Sequence, residues 1–184
     1  MIKFLNPQQL INQLNIKQGM KIADFGCGSG NITILLARSV GSGGEIIALD
    51  VQKDKLESVK SQARLESLSN IKLVRANLEI AGSSGLENES VDLVMLANIL
   101  FQSPKQKAII QEAERILKPS GFLVIVDWEK IKTPYQTNPE KIKQMVSPPA
   151  GGLTFEKEIP VGDYHFGLIF KKAWKKSFIF SAFY

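Results

Sequence analysis

The chain has 184 residues, 44% of them hydrophobic, which suits one domain with its own apolar core and excludes two catalytic domains. Its formal net charge of +5 is uneven, because residues 1–128 hold 14 Lys and Arg against 13 Asp and Glu, and residues 129–184 hold 9 against 5. The resulting +1 and +4 place the excess near the C-terminus, which argues against nucleic acid bound across the body of the domain.

Strands and helices are predicted to alternate through residues 20–127. After a helix that begins at Asn6-Pro7, short apolar runs predict five strands, and longer periodic stretches predict helices between them. This alternation indicates βαβ units with right-handed crossovers, and ligands that bind beyond the strand C-termini. The predicted strands are Lys21–Phe25, Glu45–Asp50, IKLVRA after Asn70, Val91–Ala97 and residues 122–126. The predicted helices are Asn31–Val40, a stretch with Leu56, Val59, Ala63 and Leu68 on one face, and a helix from Ser103-Pro104 to Leu117, followed by a turn at residues 118–121.

The pattern changes after Asp127. Asn138-Pro139 indicates the start of a short helix, and residues 154–159 and 165–170 are predicted strands joined by a tight turn at Gly162-Asp163. We therefore expect an α/β fold: a doubly wound, mostly parallel seven-stranded sheet with a C-terminal antiparallel hairpin. Residues 1–184 are predicted to form a single domain with a core over about residues 18–172.

The C-terminal stretch KKAWKKSFIFSAFY interleaves lysines with aromatic side chains. Such a mixture is typical of a tail that binds a membrane surface or a partner protein. The alternative is that residues after Phe170 pair as an edge strand or pack on the domain. The sequence leaves both roles open for residues 173–184.

The chain has one cysteine, Cys27, so neither an intramolecular disulfide nor a thiolate metal cage can form. The N-terminus lacks a long apolar core with a cleavage site, and no window approaches the roughly 20 apolar residues of a membrane span. We expect a cytoplasmic protein with no membrane span and no bound metal.

The stretch ADFGCGSGN joins the first predicted strand to a helix, and its spacing discriminates between ligands. A phosphate-cradling P-loop needs a Lys after the glycines, and none follows. A dinucleotide fingerprint needs glycine where the chain has Asn31, although Gly26, Gly28 and the later acid Asp50 agree with it. A dinucleotide ligand is therefore still possible, but the motif supports it only in part.

The pattern present is Asp-x-Gly-x-Gly-x-Gly, made by Asp24, Gly26, Gly28 and Gly30, with Asp50 closing the second strand. It resembles the class I S-adenosylmethionine-dependent methyltransferases. That resemblance implies that Asp24 helps to hold the methionine ammonium, that the bare backbone passes close to the sulfonium and ribose, and that Asp50 binds both ribose hydroxyls. Carboxylates and glycines suit such a ligand, which carries a cationic amine, a sulfonium and a diol.

The resemblance extends over about residues 18–172. RANLE, VDLVMLANILFQ, RILKPSGFLVIVDW and YHFGLIFKK are similar to the small-molecule branch that includes the ubiquinone/menaquinone-type C-methyltransferases. It implies S-adenosylmethionine as cofactor, S-adenosylhomocysteine as product and a Rossmann-like methyltransferase fold. The cofactor-binding residues that it implies are Asp24, Gly26, Cys27, Gly28, Gly30, Asp50, Val51, Asn77, Leu78 and Ala97.

No catalytic residue is identified, and two candidates are weighed. His165 is the only histidine and could act as a base, or be a packed strand residue. Asn98 follows the fourth strand, where the acceptor should approach. It could therefore contact the acceptor, or it could serve only to form the turn. Structural alternatives also exist for the acids, since Asp50 could cap the next helix and Asp24 could hold loop amides.

We therefore predict methyl transfer to a small-molecule acceptor by in-line displacement. The family's amine methylators carry an Asn/Asp-Pro-Pro-Tyr/Phe motif where this chain has ANILF, and arsenite methylators carry several cysteines, so both acceptor classes are disfavoured. The alternatives are a non-catalytic module that binds S-adenosylmethionine or NAD, and an RNA-directed methyltransferase that uses the basic tail. Short segments around the expected acceptor site leave three options: an open pocket, a larger acceptor, or completion by a second subunit in a homodimer.

Overall fold

The computed structural model describes residues 5–129, 133–149 and 151–174. These residues form a seven-stranded sheet with strand order β3-β2-β1-β4-β5-β7-β6. Strands β1 to β5 pair in parallel, and β7 runs antiparallel to both β5 and β6. In chain order the elements are α1 (Pro7–Asn12), β1 (Lys21–Phe25), α2 (Asn31–Val40), β2 (Glu45–Asp50), α3 (Lys53–Leu65), β3 (Ile71–Arg75), β4 (Val91–Ala97), a 3₁₀ helix (Leu100–Gln102), α4 (Gln106–Ile116), β5 (Leu117–Trp128), α5 (Pro139–Val146), β6 (Leu153–Ile159) and β7 (His165–Lys172). The predicted doubly wound sheet with its C-terminal antiparallel hairpin is confirmed.

Two helix starts follow the predicted Asn-Pro signal. The side chain of Asn6 accepts a hydrogen bond from the Gln9 N–H at 3.1 Å, and that of Asn138 accepts one from the Lys141 N–H at 2.8 Å. Each satisfies a backbone donor that has no partner inside the helix, and the following proline has no N–H to satisfy.

The segment between β4 and β5 differs from the prediction. Helix α4 begins at Gln106 rather than at Ser103-Pro104, because the Ser103 hydroxyl accepts from the Lys105 N–H at 2.9 Å and closes a local turn instead of capping the helix. The three residues before Ser103 form a 3₁₀ helix that the sequence did not predict. The predicted turn at residues 118–121 is a bulge inside β5, where the pairing with β4 passes from Leu117 directly to Phe122.

Leu68 also lies elsewhere than predicted. Helix α3 ends at Leu65, and Ser67 adopts a positive φ of 54°, so Leu68 falls beyond the helix. Leu56, Val59 and Ala63 are the buried residues of α3, and Leu56 and Val59 pack in one cluster with Cys27 and Ala48, whereas Leu68 packs against the cluster under α1 and α2. The five-residue step from Ala63 to Leu68 breaks the helical spacing of three or four residues.

The two faces of the sheet are both covered. Alternate residues of the central strands pack against α4 and α5 on one face and against α1 and α2 on the other. Because β1, β2, β4 and β5 are parallel, their C-termini meet along one edge, and the polar residues that follow them converge there.

Beyond β7 the description ends at Trp174, which is 72% exposed. The predicted basic and aromatic tail therefore lies mostly outside the described residues, and its role stays a prediction. Among residues 5–129, 133–149 and 151–174, no helix is long and apolar enough to cross a membrane.

Candidate functional site

A cavity of about 460 Å³ opens at the C-terminal edge of β1, β2, β3 and β4. Its walls come from the loop after β1, the residues after β2 and β3, and the segment between β4 and α4. Nine of the ten predicted cofactor-binding residues line it: Asp24, Gly26, Cys27, Gly28, Asp50, Val51, Asn77, Leu78 and Ala97.

The loop after β1 runs close to its neighbours, and glycine makes this possible. The N–H groups of Gly26 and Cys27 donate to the Leu49 carbonyl of β2 at 2.8 and 3.0 Å. Gly26 has a φ of +70°, and a Cβ there would lie 2.7 Å from Cδ1 of Ile99, on the segment after β4. A side chain at position 26 would thus collide with the opposite wall of the cavity, in a conformation that L residues rarely adopt.

Gly30 is the predicted residue that does not line the cavity. It is the N-cap of α2, with a φ of +95°, and a Cβ there would lie 3.1 Å from Cγ2 of Val59 on α3. Gly30 therefore lets α2 and α3 approach each other. The third glycine of the motif supports the site through helix packing.

Asp24 is a buried carboxylate at the end of β1. Its Oδ2 accepts a hydrogen bond from the Thr33 hydroxyl at 2.6 Å, and its side chain is 2% exposed. Burial raises the pKa of Asp24 from 3.8 to about 6; the Thr33 hydrogen bond opposes that rise and the charge of Asp50 adds to it. The partner of Asp24 is thus a hydroxyl of α2 rather than loop amides. Because its pKa is about 6, the carboxylate carries a negative charge at pH 7, and a cationic ligand would stabilise that charge.

Asp50 ends β2 on the other side of the glycine loop. Its Oδ2 accepts from the Gly28 N–H at 3.0 Å, and its Oδ1 accepts from the Gln52 N–H at 2.9 Å. The N-cap of α3 is Gln52, so Asp50 does not cap the helix directly. Each carboxylate oxygen has a further lone pair, and Asp50 can therefore accept from two ligand hydroxyls while it orders the loop.

Cys27 lies between these two acids. Burial raises the pKa of its thiol strongly, and the neighbouring charges of Asp24 and Asp50 raise it further. The thiolate is therefore disfavoured, and Cys27 is not a nucleophile. No group of three metal-ligating side chains exists in the part of the chain that the structure describes.

Residues 76–79, after β3, form another wall of the cavity, and the loop that follows them is held by a contact that the sequence did not predict. Glu112 of α4 is 2% exposed and accepts from the Gly82 N–H at 2.9 Å and the Ser84 hydroxyl at 2.5 Å. It also pairs with Arg115 at 2.7 Å. Burial alone would raise its pKa, but the hydrogen bonds from Arg115, Ser84 and Gly82 lower the pKa to about 2. The signal in the sequence was an acid at an inward helical position, three residues before an arginine.

The segment after β4 closes the cavity opposite the glycine loop. Asn98 has a positive φ of 56°, and its carbonyl accepts from the Gln102 side chain at 2.7 Å. Both residues line the cavity. The Asn98 Oδ1 is buried and has no hydrogen-bond partner among the described residues. Asn98 thus lies at the cavity with a buried amide oxygen whose hydrogen-bonding capacity is unused among the described residues.

His165, the other catalytic candidate, does not line the cavity. It begins β7 opposite Trp128 of β5, with the two ring centroids 3.9 Å apart. Burial lowers its pKa, so it is neutral at pH 7, and neither ring nitrogen has a partner within the described ranges. The structure therefore brings Asn98, but not His165, to the cavity.

The comparisons with known proteins agree with this geometry. Residues 16–168 match the profile of a family described as "Methyltransferase domain". The chain is 30% identical over 166 residues to the demethylmenaquinone methyltransferase of Staphylococcus aureus, covering 90% of this chain and 61% of that protein. It is 33% identical over 109 residues to the Lactococcus lactis enzyme of the same name, covering 59% and 42%. The chain thus spans less than two thirds of the length of these relatives.

Solved structures share the fold. A SAM dependent methyltransferase from Aquifex aeolicus matches with a TM-score of 0.75 at 23% identity, over 91% of this chain and 90% of that one. The [4+2]-cyclase SpnF matches with a TM-score of 0.77 at 14% identity, over 91% and 80%. At these identities the likeness concerns the fold alone, and the second protein is named for a different reaction.

Proposed function

The chain belongs to the methyltransferase domain family, and from that membership we propose that it binds S-adenosylmethionine and transfers the methyl group to a small-molecule acceptor. The observation that carries the proposal is the pair of carboxylates, Asp24 and Asp50, that line one cavity on either side of a bare glycine loop. Two acids and open backbone suit a ligand with a positive charge and a diol.

The residues fit the cofactor group by group. Bound S-adenosylmethionine would supply a methyl group on a cationic sulfur, next to a ribose and an ammonium. Asp24 would hold the ammonium, because its buried charge lacks a cationic partner in the described parts of the chain. Asp50 would hold the ribose hydroxyls with its remaining lone pairs, and the walls after β2 and β3 would enclose the adenine through Val51, Asn77 and Leu78.

A dinucleotide fits the same residues less well. A pyrophosphate would bring two negative charges to the glycine loop, beside the carboxyl groups of Asp24 and Asp50. Asn31 also stands where the dinucleotide fingerprint has its third glycine. We therefore rank a module that binds NAD below a methyltransferase.

The work of the protein in this reaction is alignment. Orienting an acceptor in line with a transferable group lowers a barrier by about 7–11 kcal/mol at best, so few catalytic side chains are required. Ala97, Asn98 and Ile99 line the cavity where β4 ends, and we assign the acceptor to this side. The Asn98 amide oxygen is buried and lacks a partner within the described residues, so a rotation of the side chain would turn it toward a polar group of the acceptor.

For the acceptor we propose a demethylated naphthoquinol of the menaquinone type, methylated at carbon. The ring carbon forms its bond to the methyl group as the sulfur–methyl bond breaks, and the hydrogen on that carbon then leaves as a proton to solvent. The support is the similarity to demethylmenaquinone methyltransferases over 90% of the chain. Such an acceptor is flat and apolar with oxygens on its rim, which agrees with a wall that combines Ile99 with Asn98. A cytoplasmic location and a homodimer remain predictions.

Calorimetric titration with S-adenosylmethionine, S-adenosylhomocysteine and NADH tests the cofactor. We expect micromolar binding of the two sulfur ligands and none of NADH. Asp50→Asn should weaken that binding tenfold or more, since hydrogen bonds to a charged group contribute about 1.5–3 kcal/mol each. Asp54→Asn, an exposed acid in the first turn of α3, is the matched control and should bind like the wild type. Binding of NADH alone would overturn the proposal.

A further inference from the structure

One short segment forms the acceptor-side wall of the cavity. It runs from Asn98 through the 3₁₀ helix to Ser103, and Asn98, Ile99, Gln102 and Ser103 all line the cavity. A single 3₁₀ turn has weak internal hydrogen bonding, and the left-handed backbone of Asn98 still costs free energy, although asparagine adopts it more readily than other non-glycine residues. This wall must therefore be held by groups outside it.

The group that holds its N-terminal side is Asp127, on the neighbouring strand β5. Its Oδ2 accepts from the Leu100 N–H at 2.9 Å and from the Phe101 N–H at 3.2 Å, and its Oδ1 accepts from the Trp128 N–H at 2.8 Å. Leu100 and Phe101 begin the 3₁₀ helix, whose own N-cap, Ile99, supplies no side-chain acceptor. Asp127 thus caps this turn from another strand.

The opposite side of the same turn is held from α4. The buried Gln106 side chain donates to the Leu100 carbonyl at 2.9 Å and to the Tyr135 carbonyl at 2.6 Å. Leu100 is therefore bound at its N–H by Asp127 and at its carbonyl by Gln106. The wall is fixed at one residue by two side chains from different elements.

A carboxylate is a costly group for this position. Asp127 is 0% exposed, and the hydrogen bonds that the structure shows to its carboxylate come from backbone N–H groups. Burial raises its pKa to about 6, although those backbone hydrogen bonds oppose the rise. The interactions that offset this cost are three backbone hydrogen bonds, and two of them come from the wall.

We propose that Asp127 is a positioning residue for the acceptor: through Leu100 and Phe101 it fixes the wall that carries Asn98 and Ile99. The effect on turnover rests on the function proposed above, whereas the effect on the wall does not. Asp127 does not line the cavity, so it acts on the acceptor only through this segment. Asp24 and Asp50, on the cofactor side, take their hydrogen bonds from Thr33, Gly28 and Gln52, not from this segment.

Asp127→Asn tests the proposal, because the amide keeps the shape of the side chain and removes its charge and one acceptor oxygen. Asp92→Asn is the matched control: Asp92 is also a strand carboxylate that accepts from a backbone N–H, that of Lys21 at 2.8 Å, but it lies near the start of β4, at the opposite end of the strand from the cavity. Both variants are compared by amide hydrogen exchange, by binding of S-adenosylhomocysteine and by methyl transfer to a demethylated naphthoquinol.

We expect the Leu100 and Phe101 amides of Asp127→Asn to exchange about tenfold faster or more, as their acceptor is weakened. Binding of S-adenosylhomocysteine should stay within twofold, and kcat/KM for the acceptor should fall about tenfold to a hundredfold. Asp92→Asn should change none of the three.

Unchanged exchange at Leu100 and Phe101 would overturn the proposal, as would an equal loss of cofactor binding. Accelerated exchange with undiminished kcat/KM would also overturn it, because the wall would then not position the acceptor. If the wild type transfers no methyl group at all, the proposed function fails by that result, and the exchange rates alone still decide whether Asp127 holds the wall.

Discussion

The buried Asp24 should destabilise the free protein, and Asp24→Asn should stabilise it. In the folded chain the side chain is 2% exposed, and burial raises its pKa from 3.8 to about 6. A pKa that folding raises means that the ionised carboxylate is less favourable in the folded than in the unfolded state. The asparagine has the same shape and can still accept from the Thr33 hydroxyl, but it carries no charge.

The size and sign of the effect follow from the pKa. A shift of about two units corresponds to about 3 kcal/mol, because one unit is about 1.4 kcal/mol. The penalty is absent below pH 3.8, where Asp24 is protonated in both states, and grows as the pH rises to about 6, above which it is complete. Asp24→Asn should therefore raise the free energy of unfolding by about 1–3 kcal/mol at pH 8 and by almost nothing at pH 3.5.

Urea unfolding of the free protein at both pH values measures this difference. Glu156→Gln is the control, since Glu156 is exposed on β6, and it should leave stability unchanged at either pH. The same Asp24→Asn variant should bind S-adenosylmethionine poorly, so that stability is gained where function is lost. A variant that is less stable than the wild type at pH 8 would refute the reasoning, because Asp24 would then be a structural acid.

Binding of S-adenosylmethionine should weaken as the pH falls below about 6, by up to about tenfold per pH unit, because the protonated Asp24 cannot pair with an ammonium; flat calorimetric affinities from pH 7 to 5 would contradict this. Gly26→Ala should lose cofactor affinity and about 1–3 kcal/mol of stability, since the new Cβ would meet Ile99 at 2.7 Å in a left-handed conformation. Gly85→Ala, with a φ of +65° and open space around it, should lose only about 1 kcal/mol and bind normally, as thermal melts and titrations will show. Glu112→Ala should lower the free energy of unfolding by about 1–3 kcal/mol at pH 7, because the Gly82 N–H and the Ser84 hydroxyl lose their buried acceptor while Arg115 stays hydrated; a loss below about 0.5 kcal/mol would show that the network is dispensable.

The parts of the fold that were predictable depend on neighbours in sequence. Apolar runs and helical spacing report which residues face the core, and the Asn-Pro starts at Asn6 and Asn138 act within three residues. The alternation of these elements then leaves few topologies. The glycine motif and Asp50 lie around one cavity, as their positions at strand ends indicate, and their role in holding a cofactor stays a prediction.

The parts that were not predictable depend on contacts between distant residues. Asp127 caps a turn 26 and 27 residues earlier in the chain, and Glu112 holds a loop about 30 residues before it. The local sequence marks Glu112 only as an inward acid near an arginine and Asp127 only as an acid at a strand end, and the partners of both are set by how the strands and helices are placed. Gly30 was assigned to the ligand, whereas its position against Val59 depends on how two helices pack.

The most direct test of this account is product analysis after incubation of the chain with S-adenosylmethionine and a reduced, demethylated naphthoquinol. The account predicts equal amounts of S-adenosylhomocysteine and a naphthoquinol that carries one additional methyl group on carbon, and little of either with Asp50→Asn. Tight binding of both ligands with neither product formed would contradict it.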